Sequence, residues 1–159
     1  MKAFNFHEIC QDASVALGLE NSMAMYEGDP FNIDGIGVSL FYDESVASDR
    51  MFCYVDLGTI PREGRENVLE GLLKLNLISG AKTNGVYGYD EESKHAMFAV
   101  QLANPQEIDG DSLANALKIY ATMARATRDA MLNAEGDDAV MSGEKPGTQP
   151  RNAPFGLHV

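Results

Sequence analysis

The sequence predicts an α+β protein in which one antiparallel sheet is covered by helices on one side. Three observations favour this class. Stretches with helical spacing alternate along the chain with short stretches rich in branched and aromatic residues, which are typical of strands. Their order is helix, three strands, helix, two strands and helix, which suits hairpins packed against helices. No further element remains to cover the second face of the sheet, so we expect that face to be open.

The first helix and the first two strands are marked by simple apolar spacing. A stripe at helical spacing predicts a helix that ends at Gly18, and it comprises Phe6, Cys10, Ala13 and Leu17. A short strand over Phe31–Asp34 and a turn at Gly35 follow. In the next strand, 37–42, successive side chains point to opposite faces: Val38, Leu40 and Tyr42 to one, Ser39 and Phe41 to the other.

The stretch from Met51 to Tyr89 organises the chain as strand, helix and strand. Residues 51–57 are apolar on both faces, and Pro61 is compatible with a first helical turn. The helix that follows shows recurring positions at helical spacing, namely Val68, Leu69, Leu72, Leu73 and Asn76. Three further residues widen its apolar face beyond what one side of a sheet needs: Leu75, Leu77 and Ile78. We expect the excess surface to meet another subunit.

A second hairpin and a long helix complete the fold. Strands over Val86–Tyr89 and His95–Leu102 flank a polar turn and predict an antiparallel hairpin. Asp111 is a good N-cap for a helix that runs to about residue 133. The remainder carries repeated Gly and Pro without periodicity, which indicates a flexible tail. We therefore expect one domain over residues 1–133 and a C-terminal tail over 134–159.

Composition limits the classes of partner. The formal net charge is −12 and the pI is about 4.5, which argues against nucleic-acid binding because phosphate contacts need clustered Lys and Arg. No run approaches the roughly 20 apolar residues of a membrane helix, and the N-terminus does not have the pattern of a secretory leader. Cys10 and Cys53 lie in apolar segments, which indicates buried thiols in a reducing compartment. We therefore expect a cytoplasmic protein with no membrane insertion.

No set of residues has the pattern of a catalytic or metal site. His7 and Cys10 supply only two of the four ligands that structural zinc needs. The acidic run 90–92 occupies a hairpin turn and lacks the spacing of a calcium loop. The segment 84–88 lacks the Lys-Ser/Thr pair of a phosphate loop and leads into a strand. We therefore expect no metal and no cofactor.

One enzymatic alternative stays open at the level of sequence. Cys53 and His95 both lie on predicted strands, and a thiol beside an imidazole would make a small thiol enzyme. An inert core thiol is the competing interpretation of Cys53. The spare sheet face, the apolar helix surface and the acidic balance favour a binding protein over an enzyme.

The order and spacing of these elements resemble the type III secretion chaperones of the Tir-chaperone (CesT-like) family. The resemblance covers about residues 4–133 and rests on short motifs in sequence. They are Phe31–Asp34 with Val38–Tyr42, Met51–Leu57 with Gly58 and Pro61, the positions Val68, Leu69, Leu72, Leu73 and Asn76, Gly85–Asp90 with Ser93, Met97–Leu102, and the final helix from Leu113. Two features depart from the family. Its last helix often carries a Trp, whereas this chain has none and places Arg125, Thr127 and Arg128 there; the tail also matches no family pattern.

The resemblance implies a bacterial cytoplasmic homodimer that binds the N-terminal region of a secreted effector in extended form, without a cofactor. The first helix and strands would then hold the effector, through Phe4, Phe6, Ile9, Phe31, Ile33, Val38, Leu40 and Phe52. The second helix and the strand after it would form the dimer interface, through Leu69, Leu72, Leu73, Leu75, Leu77, Val86 and Tyr87. The alternative within the same fold is a regulatory sequestrator that binds a transcriptional regulator or another chaperone.

Overall fold

A computed structural model describes residues 4–79 and 84–141 of the chain. Its elements follow the predicted order, with one short helix added between the first helix and the first strand. In chain order they are α1 (Phe6–Leu17), α2 (Ala24–Glu27), β1 (Phe31–Ile33), β2 (Ile36–Phe41), β3 (Arg50–Thr59), α3 (Arg65–Ser79), β4 (Gly85–Asp90), β5 (His95–Ala103) and α4 (Gly110–Met141). A 3₁₀ turn over Pro105–Glu107 precedes α4.

The five strands form one antiparallel sheet in the order β1-β2-β3-β5-β4. Each neighbouring pair is antiparallel, which confirms the predicted α+β class and the β4–β5 hairpin. The central strands β3 and β5 share the longest register, interrupted by one irregularity between Asp56 and Gly58. β1 and β4 are consequently the two edges of the sheet.

The core lies between the sheet and α4, and α1 packs against α4. Alternate residues of the central strands are buried in this layer: Val38, Leu40, Met51, Cys53, Val55, Ala96, Phe98 and Val100. α4 contributes buried residues at helical spacing: Leu113, Leu117, Ala121 and Ala124. At the start of α4, a Cβ at Gly110 would overlap the Cβ of Asp12 in α1. The absence of a side chain at Gly110 therefore permits the two helices to cross this closely.

The starts and ends of the helices confirm one predicted boundary and correct another. α1 ends at Gly18, which has the left-handed φ of +67° that favours glycine at this position. α4 begins at Gly110, so Asp109 rather than Asp111 caps it, by accepting a hydrogen bond from the Ser112 amide at 2.8 Å. Both aspartates have the right chemistry for a cap, and the register of the helix decides between them.

The far end of α4 also differs from the prediction. The helix continues to Met141, beyond the expected end near residue 133. The added stretch contains no proline, and its one glycine, Gly136, costs only about 1 kcal/mol relative to Ala in a helix. The rest of the predicted tail, 142–159, lies outside the described residues.

Candidate partner-binding surfaces

The face of the sheet opposite α4 leaves large apolar side chains exposed. Phe41 is 44% exposed, Tyr54 39% and Val86 58%. These residues alternate along the strands with the core positions, so they point away from α4. We call this surface the open face, and it comprises Ser39, Phe41, Phe52, Tyr54, Val86, Met97 and Ala99. The expectation of an uncovered sheet face is consistent with these exposures.

The open face contains a shallow apolar cleft beside β4. In register, Tyr54 lies opposite Ala99, and Ala99 lies opposite Val86. The cleft has a volume of about 320 Å³ and is lined by Tyr54, Val86, Gly88, Tyr89, Asp90, Met97 and Ala99. Further along the face, the rings of Phe41 and Tyr54 meet edge to face with centroids 5.7 Å apart. The surface can therefore accept apolar side chains between aromatic and aliphatic walls.

A polar pair lies at one end of the open face. His95 Nδ1 is 2.9 Å from each carboxylate oxygen of Asp56. Asp56 Oδ1 also accepts a hydrogen bond from the Gly58 amide at 2.7 Å, next to the irregularity in β3. The imidazole of His95 is therefore engaged by a carboxylate.

The geometry does not bring Cys53 and His95 together. Cys53 pairs with Val100, whereas His95 lies opposite Thr59 at the other end of β3. Positions 53 and 59 of a strand are separated by about 20 Å at the usual rise per residue. Cys53 is buried in the core, and burial raises the pKa of its thiol to about 12. The thiol-enzyme arrangement that the sequence left open is therefore not formed.

The structure also shows the surroundings of His7 and Cys10, the other pair that the sequence offered as possible metal ligands. His7 packs its ring edge-on against Tyr26, with centroids 4.8 Å apart. Cys10 is buried, and burial raises the pKa of its thiol to about 12. Within residues 4–78 and 84–133, whose side chains the structure describes, no three His, Cys, Asp or Glu side chains converge where they could hold a metal ion. Nor does that part of the chain contain a helix long and apolar enough to cross a membrane.

A second partly exposed aromatic surface lies at the start of α1. Phe6 packs against Tyr26 and Tyr42, with ring centroids 5.8 and 5.2 Å apart, and Phe4 meets Tyr42 edge-on at 5.1 Å. Asn5, between the two phenylalanines, caps the helix through its side chain, which fixes where α1 begins. We call this group the N-terminal aromatic cluster, and it comprises Phe4, Phe6, Tyr26 and Tyr42.

The eight residues predicted to bind an effector separate into three places. Phe4, Phe6 and Ile9 are half-buried in or near the N-terminal aromatic cluster, and Phe52 is half-buried on the open face. The other four are buried in the core: Phe31, Ile33, Val38 and Leu40. In the described fold the side chains of these four residues point mainly into the protein interior, and Phe31 also lines a surface cleft.

Sequence reasoning missed two main members of the open face, Phe41 and Tyr54. The alternation along the strand did separate Ser39 and Phe41 from Val38 and Leu40. Both sets contain large apolar residues, however, and spacing within a strand does not indicate which set a distant helix will cover. The two faces of the strand were therefore identified correctly, and the partner was assigned to the covered one.

The third exposed apolar surface lies on α3. Leu73 and Leu77 are 68% and 72% exposed and lie one helical turn apart, and half-buried Leu69 precedes them by another turn. We call these three residues the α3 ridge. The remaining predicted interface residues differ in burial: Val86 is exposed, Leu75 is half-buried, and Leu72 and Tyr87 are buried within the monomer.

An apolar groove runs between α3 and α4, on the side of α3 that faces away from the ridge. Its volume is about 380 Å³, and it is lined by Asn67, Val68, Gly71, Leu72, Leu75, Ala126, Thr127, Ala130 and Met131. Small residues at Gly71, Ala126 and Ala130 leave room between the two helices. The ridge and the groove are therefore two separate apolar surfaces on opposite sides of α3.

Comparison with known proteins adds a family and two similar structures. The model of the Tir chaperone protein (CesT) family matches residues 30–128, more than half of the chain. The fold is similar to a chain in the crystal structure of the ExsC-ExsE complex, with 14% identity and a TM-score of 0.65, covering 82% of this chain and 97% of that one. It is also similar to a chain in the HopA1-SchA chaperone-effector complex, with 17% identity and a TM-score of 0.56, covering 78% and 94%. A search of curated proteins found no match.

Proposed function

This chain belongs to the Tir chaperone protein (CesT) family, and on that premise we propose that it is a type III secretion chaperone. It binds the N-terminal region of an effector in extended form and keeps the effector soluble and competent for secretion. It acts as a homodimer in the bacterial cytoplasm. No nucleotide is required, because holding an unfolded segment on a surface is equilibrium binding. The observation that carries the proposal is the exposed aromatic surface of the open face.

The open face suits an extended partner segment. Such a segment has no core of its own, so it gains stability only by burying side chains on a preformed surface. Phe41, Tyr54 and Val86 offer that surface without any refolding, since the other side of the same sheet is already packed against α4. Full burial of one large apolar side chain contributes about 1.5–3 kcal/mol. A few such contacts therefore offset the cost of ordering the segment.

The N-terminal aromatic cluster supports a second contact region for the same segment. Phe41 belongs to the open face and Tyr42 to the cluster, and as consecutive residues they point to opposite sides of the chain. The two surfaces consequently meet at the same end of β2. One extended segment that passes round this end contacts both, which is how the half-buried rings of Phe4 and Phe6 enter the binding surface.

The charge balance favours a neutral or basic partner segment. The chain has 24 Asp and Glu against 12 Lys and Arg. Complementary charge mainly increases the association rate and discriminates among partners. An effector region rich in Lys and Arg should therefore bind faster at low salt than at high salt.

The α3 ridge supports the homodimer. A monomer would present Leu73 and Leu77 to water. In a two-fold dimer the same patch of each copy faces the other, so the ridges of the two copies can pack against each other. Val86, on the neighbouring strand β4, is exposed as well.

Co-purification tests the proposed function. The chain would be tagged at its C-terminus, so that the N-terminal aromatic cluster stays free, and expressed in its native bacterium. We expect a larger secreted protein to elute with a dimer of this chain. We also expect the first part of that protein alone to bind, and its remainder not to bind. Recovery of a transcriptional regulator or another chaperone would favour the regulatory sequestrator, and a monomer without a partner would contradict the proposal.

A further inference from the structure

Asn76 of α3 makes two hydrogen bonds to the backbone of one residue in β4. Its Oδ1 accepts from the Tyr87 amide at 2.6 Å, and its Nδ2 donates to the Tyr87 carbonyl at 2.9 Å. In an antiparallel sheet, every second pair of opposite residues exchanges an N–H···O bond in each direction. The side-chain amide of Asn76 reproduces this pair of bonds. It therefore takes the place that a further strand would occupy beside Tyr87.

These bonds lie on an edge of the sheet. β4 is the last strand, and Tyr87 faces Phe98 of β5 on its other side. The outward N–H and C=O groups of an edge strand are a template for pairing with another chain, and proteins commonly cover such edges. β4 also carries the exposed Val86, which would favour such pairing. Asn76 therefore occupies the hydrogen-bonding groups at which a second strand would attach.

Tyr87 is held on its other sides as well. Its ring packs on Phe98 with centroids 4.6 Å apart, and its hydroxyl lies 3.4 Å from the Thr127 hydroxyl of α4. At the start of β4, a Cβ built on Gly85 would lie 2.5 Å from the Phe98 ring, so only glycine fits there. These contacts hold β4 in one register, which keeps the Tyr87 backbone in line with Asn76.

We propose that Asn76 closes the β4 edge to strand pairing, so that a second copy contacts this side through the α3 ridge and does not continue the sheet. The evidence for a closed edge is the pair of hydrogen bonds between Asn76 and Tyr87. The inference that a second copy binds through the α3 ridge rests on the proposed homodimer.

Asn76→Leu tests the closed edge, because Leu has nearly the shape of Asn but neither donor nor acceptor. Asn115→Leu, the same substitution at an exposed position of α4, is the matched control. Amide hydrogen exchange at Tyr87 would be measured by NMR, and self-association by sedimentation velocity over a range of concentrations. In Asn76→Leu we expect exchange at Tyr87 to accelerate at least about tenfold and species larger than the dimer to form. Asn115→Leu should match the wild type in both measurements.

Asn76→Ala, which removes both bonds without adding bulk, provides a second variant if Asn76→Leu does not fold. Wild-type exchange at Tyr87 in the folded Asn76 variants would overturn the proposal. Faster exchange without new self-association would also overturn it, since the edge would then not need closing.

The readout requires no effector, so its failure is distinct from a failure of the proposed function. A variant that self-associates and still binds the effector leaves both proposals standing. In another outcome the chain is monomeric and has no partner, while exchange at Tyr87 still depends on Asn76. That result would support the closed edge but contradict the homodimer and the chaperone function.

Discussion

The two faces of the sheet are built from the same strands but have different neighbours. Val38 and Val100 point to one face and are buried in the core beneath α4, whereas Phe41, Tyr54 and Val86 point to the other and are exposed. Both sets are apolar, so hydrophobicity alone does not distinguish a core face from a binding face. The difference lies in what the rest of the chain provides. The helices of the chain cover one face of the sheet, and the other face stays exposed, where we propose that a partner binds.

The largest contrast is expected on α3, where Leu72 and Leu73 are neighbours with opposite surroundings. Leu72 is 6% exposed, so Leu72→Asp places an unpaired carboxylate in the monomer and should lower the free energy of unfolding by about 3–5 kcal/mol. Leu73→Asp, on the exposed ridge, should leave the monomer folded and raise the dimer Kd at least about 100-fold. Urea unfolding measures the first effect and sedimentation velocity the second.

Val46→Asp is the control for the two leucine variants. Val46 is exposed on the loop between β2 and β3, so a carboxylate there should change neither the stability nor the dimer. A Leu73→Asp protein that stays fully dimeric at micromolar concentration would place the interface elsewhere. A Leu72→Asp protein with wild-type stability would contradict the packing of α3 described above.

A matched pair of valines compares the two faces directly. Val100→Ala on the covered face should lower the free energy of unfolding by about 2–3 kcal/mol, because two buried methyl groups are lost and a cavity remains. Val86→Ala on the open face should cost less than about 1 kcal/mol, mostly through strand preference. Urea unfolding of both variants checks the difference. An equal loss of unfolding free energy in the two variants would show that the open face is packed in solution.

A smaller effect on stability is expected at the turn between β1 and β2, whose carbonyl groups accept hydrogen bonds from two arginines of α4. Arg128 Nη1 donates to the Gly35 carbonyl at 3.1 Å, and Arg125 donates to the Asp34 carbonyl. Arg128→Ala should cost about 1 kcal/mol and accelerate amide exchange in β1 and β2 more than in β3 and β5. Lys118→Ala, an exposed position of the same helix, serves as the control. Uniform exchange across the sheet would mean that these bonds do not hold the hairpin.

The smallest expected effect concerns the thiols of Cys10 and Cys53, which should react only slowly in the folded protein. Burial raises the pKa of Cys10 and Cys53 to about 12 from an ordinary value of 9.0, so almost no thiolate forms at pH 8. Alkylation should therefore follow unfolding. Because only the unfolded chain ionises its thiols near pH 9, stability should fall as the pH rises above that value. Rapid labelling of native protein at pH 8 would contradict the burial of these residues.

Local spacing was sufficient for the order of the elements and for the two faces of each strand. Gly18 indicated the end of α1 because glycine alone adopts its backbone conformation without strain, and alternation separated Val38 from Phe41. The predicted cap of α4, Asp111, was wrong by two residues: Asp109 caps the helix, because α4 already begins at Gly110.

The spacing of residue types along the sequence could not predict contacts between distant parts of the chain. Phe31 and Ile33 were assigned to a partner because their burial depends on how the sheet packs against the helices. Asn76 was identified only by its helical spacing, because the carbonyl and amide that it binds belong to Tyr87 on the next strand. The sequence interpretation noted Arg125 and Arg128 only as a departure from the family, because the carbonyls that they bind lie in a turn far along the chain.

The most direct test of the central claim is the affinity of the open face for the effector. The N-terminal segment of the co-purified effector would be titrated calorimetrically into the wild type, the double variant Phe41→Ser with Tyr54→Ser, and the exposed-valine control Val46→Ser. The double variant should remain folded and dimeric while its Kd for the segment rises at least about 100-fold, and the control should bind as the wild type does. Wild-type affinity in the double variant would contradict the assignment of the open face as the effector-binding surface.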